Sequence, residues 1–422
     1  MSIPRLLAEH LAVTRRHFLR LGLGASASLA IGSRWSVAAD GDKTTDARLA
    51  EAIAQLGYLT PPEEFSTVER GYPLPYTLPD EKLREAGLTR ETWSLEVVPD
   101  EEVSPKVENP LSKERGTALN WSGLMKLAET KAVRFLKIMT CNNGGSPLGM
   151  GLWEGVPLRE AVWLAKPVED VRRLFYYGYH NDDPAQMFRG SLPIGRVLED
   201  PPGEYPVILC YKLNDEFLSG KRGGPVRMVV PEAYGFKSVK WLNRVVLTNA
   251  PFANDTYADG NNDIDSWMKT FARFVTNPDK VMAGQPIPLT GLAQVGISGL
   301  SKVQFWMHPR DEALPQDDPY FTRAHWKDAD ILPAPTRWAG LSEDQLPADV
   351  LGFDPSTQKP LVWPMRYTLA HWAAIESSVP VGKYDLRCRT IDANGAAQPM
   401  PRPFPKSGRN AIQMTPLEVL PG

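Results

Sequence analysis

One thiol raises the first chemical question. Cys141 closes the apolar run "VRFLKIMTC" and opens into "NNGGSP", in a chain with three cysteines among 422 residues. A cysteine that only fills a core gap has apolar neighbours on both sides. This one is followed by small residues and glycines, which let backbone N–H donors come close to a large ligand. A ligand or nucleophile role and a plain strand-end cysteine both fit that spacing. The pattern does not suit zinc, because the cysteines are isolated and no Cys-x-x-Cys or His-x-x-x-His spacing occurs. A thiol hydrolase would need a histidine in reach, and beyond residue 39 there are His180, His308, His325 and His371. Cys210 in "VILCYKL" and Cys388 in "YDLRCRTI" read as buried strand residues.

A second constellation lies in "SGKRGGPVRMVVPEAYGFKSVKWLNRV", Ser219 to Val245. It gathers Lys221, Arg222, Arg227, Lys237 and Lys240 around glycines and strand starts. Forked guanidiniums and ammoniums beside flexible backbone suit a phosphate or pyrophosphate. A solvated strand face is the plain alternative. The glycine spacing matches neither a dinucleotide fingerprint nor a P-loop.

These groups need elements to position them. "TWSLEVV" alternates as a strand, while "LNWSGLMKLA" and "VPLREAVWLA" have helical spacing with apolar faces. Between those helices the strand ending at Cys141 and its loop predict a strand, loop, helix order, with the thiol at the strand's end. "PVILCYKLNDEFL" and "GPVRMVV" read as paired strands, and "VKWLNRVVLTN" as another. Residues 40 to about 60 read as a polar helix, and the proline- and tyrosine-rich stretch Pro61 to Pro79 as an extended arm. From Phe252 to Asn277 the sequence is polar, aromatic and irregular, which predicts a connection. Beyond it, "IPLTGLAQVGISGLSKVQFWMHP" and "VGKYDLRCRTIDANGAAQPM" give short strands and turns, with Asn394-Gly395 as a turn signal. This half predicts an antiparallel sandwich of the immunoglobulin type.

The composition supports a large folded chain with room for two domains. Lys+Arg 47 against Asp+Glu 50 gives a net charge of -3, which offers no electrostatic case for nucleic acid or anionic membrane. The first residues carry a separate message. Thr14-Arg15-Arg16-His17-Phe18-Leu19-Arg20 match a twin-arginine export signal, followed by an apolar stretch too short to span a bilayer and small residues before Asp40. Residues 1–39 are therefore expected to be a signal peptide and the mature protein periplasmic.

"GGPVRMVVPEAYGFKSVKWLNRVVL" resembles a segment of the sulfite oxidase family of molybdopterin enzymes. Three further stretches are similar to that family in the same order: "VERGYPLP", "IMTCNNGG…WEGVPLREAV" and "FYYGYHNDDPAQMFRGSLPIGRVLEDP". "YDLRCRTIDANGAAQP" resembles a later strand pair of the family more weakly. The resemblance implies an α+β chain: a mixed molybdopterin-binding domain at 40–250, a connection at 251–277 and an immunoglobulin-like β-sandwich at 278–422.

It also implies roles. Cys141 would be the thiolate ligand of molybdenum, Arg227 and Lys240 would bind the pterin and its phosphate, and Arg222 stands where relatives often have histidine. Lys237 belongs to the same basic set, and Arg70 to an arm folded toward the cofactor. His180, in place of a family aspartate, is a candidate for proton handling. Two departures mark a rebuilt substrate pocket: "NNGGSP" lacks the family's arginine after the cysteine, and Phe188 stands where the family has an active-site tyrosine. The implied activity is oxygen-atom transfer on a small, sulfur-containing substrate, with the metal restored by two one-electron transfers. No Cys-x-x-Cys-His haem signature occurs, so the resemblance implies a separate cytochrome or quinone-linked electron carrier. A homodimer is also implied. A sulfoxide-type reductase on the same scaffold and a non-catalytic exported binding protein are the alternatives.

Overall fold

The computed structural model describes residues 43–341 and 345–422. The twin-arginine stretch lies outside them. In chain order the strands are β1 Ser94–Pro99, β2 Lys106–Val107, β3 Leu119–Asn120, β4 Val133–Thr140, β5 Pro147–Pro157, β6 Pro167–Glu169, β7 Arg173–Gly178, β8 Arg189–Pro193, β9 Ile208–Leu213 and β10 Glu216–Phe217. They continue as β11 Arg227–Val229, β12 Leu242–Thr248, β13 Phe271–Thr276, β14 Lys280–Met282, β15 Ile287–Gln294, β16 Lys302–Pro309, β17 Lys327–Ile331, β18 Leu369–Glu376, β19 Gly382–Ile391 and β20 Gln413–Leu420. Helices are short and few: Lys43–Ala54, Asp80–Glu85, Trp121–Lys131, Leu158–Ala165 and Ile194–Leu198.

Two five-stranded sheets make the first half. One runs β3-β1-β12-β7-β8, with β1 and β12 parallel. The other runs β10-β9-β5-β4, and β11 also pairs β9. Their shared core holds Leu95, Val97, Val156, Leu174, Leu209, Met228 and Val245, each with at most 1% of its surface exposed. At roughly 25 cal/mol per Å² of apolar area, such a cluster supplies most of the drive to fold. The helix Trp121–Lys131 begins where Asn120 accepts a hydrogen bond from Gly123 N, a side-chain N-cap.

The strand, loop, helix order expected at Cys141 is corrected here. β4 and β5 form an antiparallel hairpin, so residues 141–146 are its turn, and the helix Leu158–Ala165 follows the second strand. Gly144 and Gly145 stay in that turn, whereas the glycines of β5 serve close packing. A Cβ on Gly151 would stand 2.3 Å from Leu213 Cδ1 across the sheet.

The second half has an eight-strand path, β13-β15-β18-β17-β16-β19-β20-β14, with β14 parallel to β20. Its core joins both ends of that path, including Ile287, Val303, Trp372, Leu386 and Leu417. The expected connection 251–277 thus ends in a strand, since β13 pairs β15 over Phe271–Thr276. After β19, Gly395 takes φ 84° at the predicted turn, but only an isolated bridge, Ile391 to Ala397, follows before β20. Among the described residues no helix is long and apolar enough to cross a membrane.

Candidate active site around Cys141

β4 delivers the thiol. Its last six residues are buried, and Cys141, just past its end, is half-buried where Gly144 N bonds back to Cys141 O at 3.1 Å. The thiol opens onto a cavity that also takes in Arg70, His180, Phe188, Arg222, Arg227, Lys240, Trp241 and Tyr257. The cavity lining includes four Arg or Lys residues and no Asp or Glu.

The cations are held by neutral oxygens. Arg227, 5% exposed, donates to Arg222 O at 3.0 Å and Ser238 O at 2.7 Å, while its Nε has no partner among the described residues. Burial pulls its pKa down to about 10. Lys240 Nζ donates to Thr67 Oγ1 at 2.6 Å, Lys221 O at 3.0 Å and Val68 O at 3.3 Å. Burial, reinforced by Arg227 and Arg222, lowers its pKa to about 7. Arg222 reaches the carbonyls of Ser66 at 2.9 Å, Pro62 at 3.3 Å and Phe65, and burial lowers its pKa too. The arm is further tied to β5 by Thr60 N to Met150 O and Ser66 N to Leu148 O, each 2.8 Å. Arg70 lies over the Phe188 ring at 4.5 Å and donates to the Tyr257 hydroxyl.

His180 is 4% exposed and rests edge-on against Trp241. Its Nδ1 is 3.1 Å from Gly178 O and 3.4 Å from Phe188 N. The shorter contact requires a proton on Nδ1, which leaves Nε2 with a lone pair and, among the described residues, no partner. Burial lowers its pKa, so the ring is neutral at pH 7.

Six of the seven residues expected at the site therefore meet in one cavity. Lys237 does not. The 3₁₀ turn Gly235–Lys237 sends its side chain into the core, where Nζ pairs with Asp255 Oδ1 at 2.5 Å and donates to Ser191 O at 2.8 Å. Its acidic partner lies in the irregular segment, where no spacing marks it. Tyr257 and Phe236, also cavity residues, carried no signal beyond being aromatic in polar surroundings. Cys141, Cys210 and Cys388 are all free, and burial pushes the Cys210 thiol up to about 12, which makes it inert as a nucleophile or ligand at neutral pH.

The residues fit a molybdenum-bearing pterin. Among the described residues no group of three or more His, Cys, Asp or Glu could hold a metal ion. A metal at Cys141 would need other donors, and a dithiolene-bearing cofactor brings its own. Cations in a lining without carboxylates would suit its phosphate, and the unpartnered Arg227 Nε leaves a donor for one of its polar atoms.

Comparison with known proteins agrees. Residues 88–256 match the family described as oxidoreductase molybdopterin binding domain. The mitochondrial sulfite oxidase of Drosophila melanogaster is 28% identical over 191 residues, covering 44% of this chain and 31% of that protein. Sulfite oxidase of Gallus gallus is 29% identical over 203 residues, 47% of this chain and 41% of the relative. The NADPH nitrate reductase of Emericella nidulans is 28% identical over 207 residues, 48% and 22% respectively. The chain thus spans less than half the length of these relatives. In fold it is similar to the sulfane dehydrogenase SoxCD from Paracoccus pantotrophus, with TM-score 0.54, 17% identity, and 78% of this chain and 77% of that one covered. Fold and site together define a molybdopterin-binding oxidoreductase domain. Residues 88–256 are the part of the chain that carries this domain, and over a somewhat longer stretch the chain is similar to sulfite oxidases.

Proposed function

We propose that this chain is an exported, periplasmic enzyme that carries out oxygen-atom transfer on a small sulfur-containing substrate, with Cys141 as its protein ligand to molybdenum. The observation that carries the reading is the meeting of one half-buried thiol with Arg70, Arg222, Arg227 and Lys240 in a cavity lined by no carboxylate. When bound, the cofactor would supply two-electron oxygen-transfer chemistry, with a separate carrier taking up the electrons one at a time. The chain's own share is to ligate through Cys141, to neutralise the pterin phosphate through Arg227, Lys240 and Arg222, and to hold His180 Nε2 as a neutral proton acceptor. Arm residues 65–68 form one wall of the cavity, beside these cations. The export assignment rests on the twin-arginine stretch Thr14 to Arg20.

We read the second half as an immunoglobulin-type sandwich. The strand order supports this: β13-β15-β18-β17 followed by β16-β19-β20 is the A-B-E-D and C-F-G pattern of that fold, taken in chain order, with β14 parallel to β20 as an extra edge strand.

The test is metal and pterin content. Elemental mass spectrometry and oxidised-pterin fluorescence on the exported protein should give about one molybdenum and one pterin per chain, and neither present, in a host that makes the cofactor, would refute the reading. In Cys141→Ser, turnover should be lost while pterin content and melting temperature hold. Unchanged turnover would remove Cys141 from the metal.

A further inference from the structure

The sheet β3-β1-β12-β7-β8 has two faces, and the core takes one of them. Leu174, Tyr176 and Val245 point inward, so the alternating residues Phe175, Tyr177 and Val246 point the other way, into an open groove of about 960 Å³. Exposed apolar side chains gather along it. Phe252 is 60% exposed, its ring 6.1 Å from that of Phe175, and Val103 and Met187 are exposed at 44% and 36%. An apolar floor inside a charged rim marks a surface that meets another molecule.

The rim is acidic. Glu96, Asp100, Glu101, Glu102, Asp182 and Asp183 line the groove against Lys113, Arg172 and Arg244, six carboxylates to three bases, an excess as large as the net charge of -3 on the whole chain. Among the described residues the ion pair formed within it is Arg244 to Glu101 at 3.9 Å, with the carboxylate side chain 91% exposed and little neutralised. His180 lines both this groove and the cavity beside Cys141. One imidazole thus stands where a cation-lined cavity and an acid-rimmed groove meet. A small anion is drawn to the first and repelled by the second, whereas a cationic protein is drawn to the groove. A protein cannot enter the cavity, but electrons cross packed side chains, so a carrier needs only to dock on the far side of the wall.

We propose that this groove is the docking surface of the electron carrier, a small protein that presents lysines around an apolar centre, and that His180 is where the carrier comes nearest the cavity. The inference rests on the molybdenum reading above. Each docked carrier accepts one electron, so two dockings in succession take up the two electrons of one turnover, and the protons released with them pass to solvent. Substrate and carrier are thereby sorted by charge to different faces of the same domain.

The experiment uses exported holoenzymes of wild type, Glu101→Lys/Glu102→Lys, Phe252→Ser and, as a charge control in the second half, Asp311→Lys/Glu312→Lys, each with molybdenum and pterin content measured. The probe is a lysine-rich ferricytochrome c, titrated by calorimetry and then mixed in stopped flow with enzyme reduced by titanium citrate. Wild type should bind one cytochrome per chain at low salt and roughly tenfold more weakly at about 0.2 M salt. Glu101→Lys/Glu102→Lys should weaken binding and slow cytochrome reduction by roughly tenfold, while reduction of ferricyanide, a small anion that needs no docking surface, is unchanged. Phe252→Ser should weaken binding several-fold at either salt. The control pair should match wild type. Equal cytochrome affinity in wild type and Glu101→Lys/Glu102→Lys, an equal loss in the control pair, or no cytochrome binding by a fully loaded wild type overturns the inference while leaving the cofactor assignment intact. A change of oligomeric state by light scattering in place of a change in cytochrome binding would give the groove to a second copy of the chain and overturn it too. A wild type with neither metal nor pterin overturns both readings.

Discussion

Lys237 and Lys240 stand three residues apart on one stretch of chain, the first buried and the second half-buried, and they do opposite things. Lys237 points into the core and meets Asp255 at 2.5 Å, with Ser191 donating to the other carboxylate oxygen at 2.6 Å. That pair is complete. Lys240 points into the cavity, where its three hydrogen bonds go to a hydroxyl and two carbonyls, and where Arg227 and Arg222 push its pKa further down. Neutral oxygens satisfy the N–H donors of an ammonium but not its charge. The difference teaches how to tell a structural lysine from one that waits for a ligand: the first is ion-paired within the chain, while the second has no carboxylate in direct contact and feels Glu69 only at a distance.

Breaking the complete pair should have the largest effect on the fold. Asp255→Ala strands a buried ammonium, and unfolding in urea should show a loss of about 3–5 kcal/mol, against about 1 kcal/mol or less for Lys240→Met. Comparable losses for the two would mean that Lys240 is also structural. Cofactor content should reverse the ranking. Arg227→Gln should lose most of its molybdenum and pterin, and Lys240→Met should release pterin roughly tenfold more readily, while Lys237 plays no part in retention.

The smallest effect is on pH dependence and sharpens the same contrast. A lysine whose folded pKa lies near 7 and whose unfolded pKa lies near 10.4 binds fewer protons when folded across that window, so cofactor-free protein should gain stability as pH rises from 7 toward 10. Lys137, fully buried on β4 and lowered to about 7 by burial, contributes in the same direction. Lys240→Met should therefore leave a shallower slope, not a flat one. Melting temperatures of both proteins across this range provide the check, and identical slopes would show that Lys240 is not titrating there.

Much of the site was legible because ligands of this kind demand rare residue types in a set order. Cys141, Arg222, Arg227 and Lys240 stand out by chemistry, and Arg70 and His180 by their place within motifs. Lys237 shows the limit. Its neighbours in sequence are those of a ligand-binding lysine, and only the 3₁₀ turn at Gly235–Lys237 decides which way its side chain leaves the backbone. Asp255 and Tyr257 come from a segment with no periodicity, so nothing local announces that one serves the core and the other the cavity. The hairpin at Cys141 was obscured for another reason. Glycine reads as loop when its backbone freedom is what counts, whereas in β5 it is the missing side chain that counts, letting Leu213 pack against Gly151.

The arm from Thr60 to Arg70 is bonded to β5 on one side and to Arg222 and Lys240 on the other, and it forms one wall of the cavity. Bonds on both sides fix the arm's conformation, so its share of the cavity wall is set when the chain folds rather than when a ligand arrives. Protein without its cofactor should present the same wall as loaded protein, and the arm's amides should exchange with solvent on the timescale of partial unfolding.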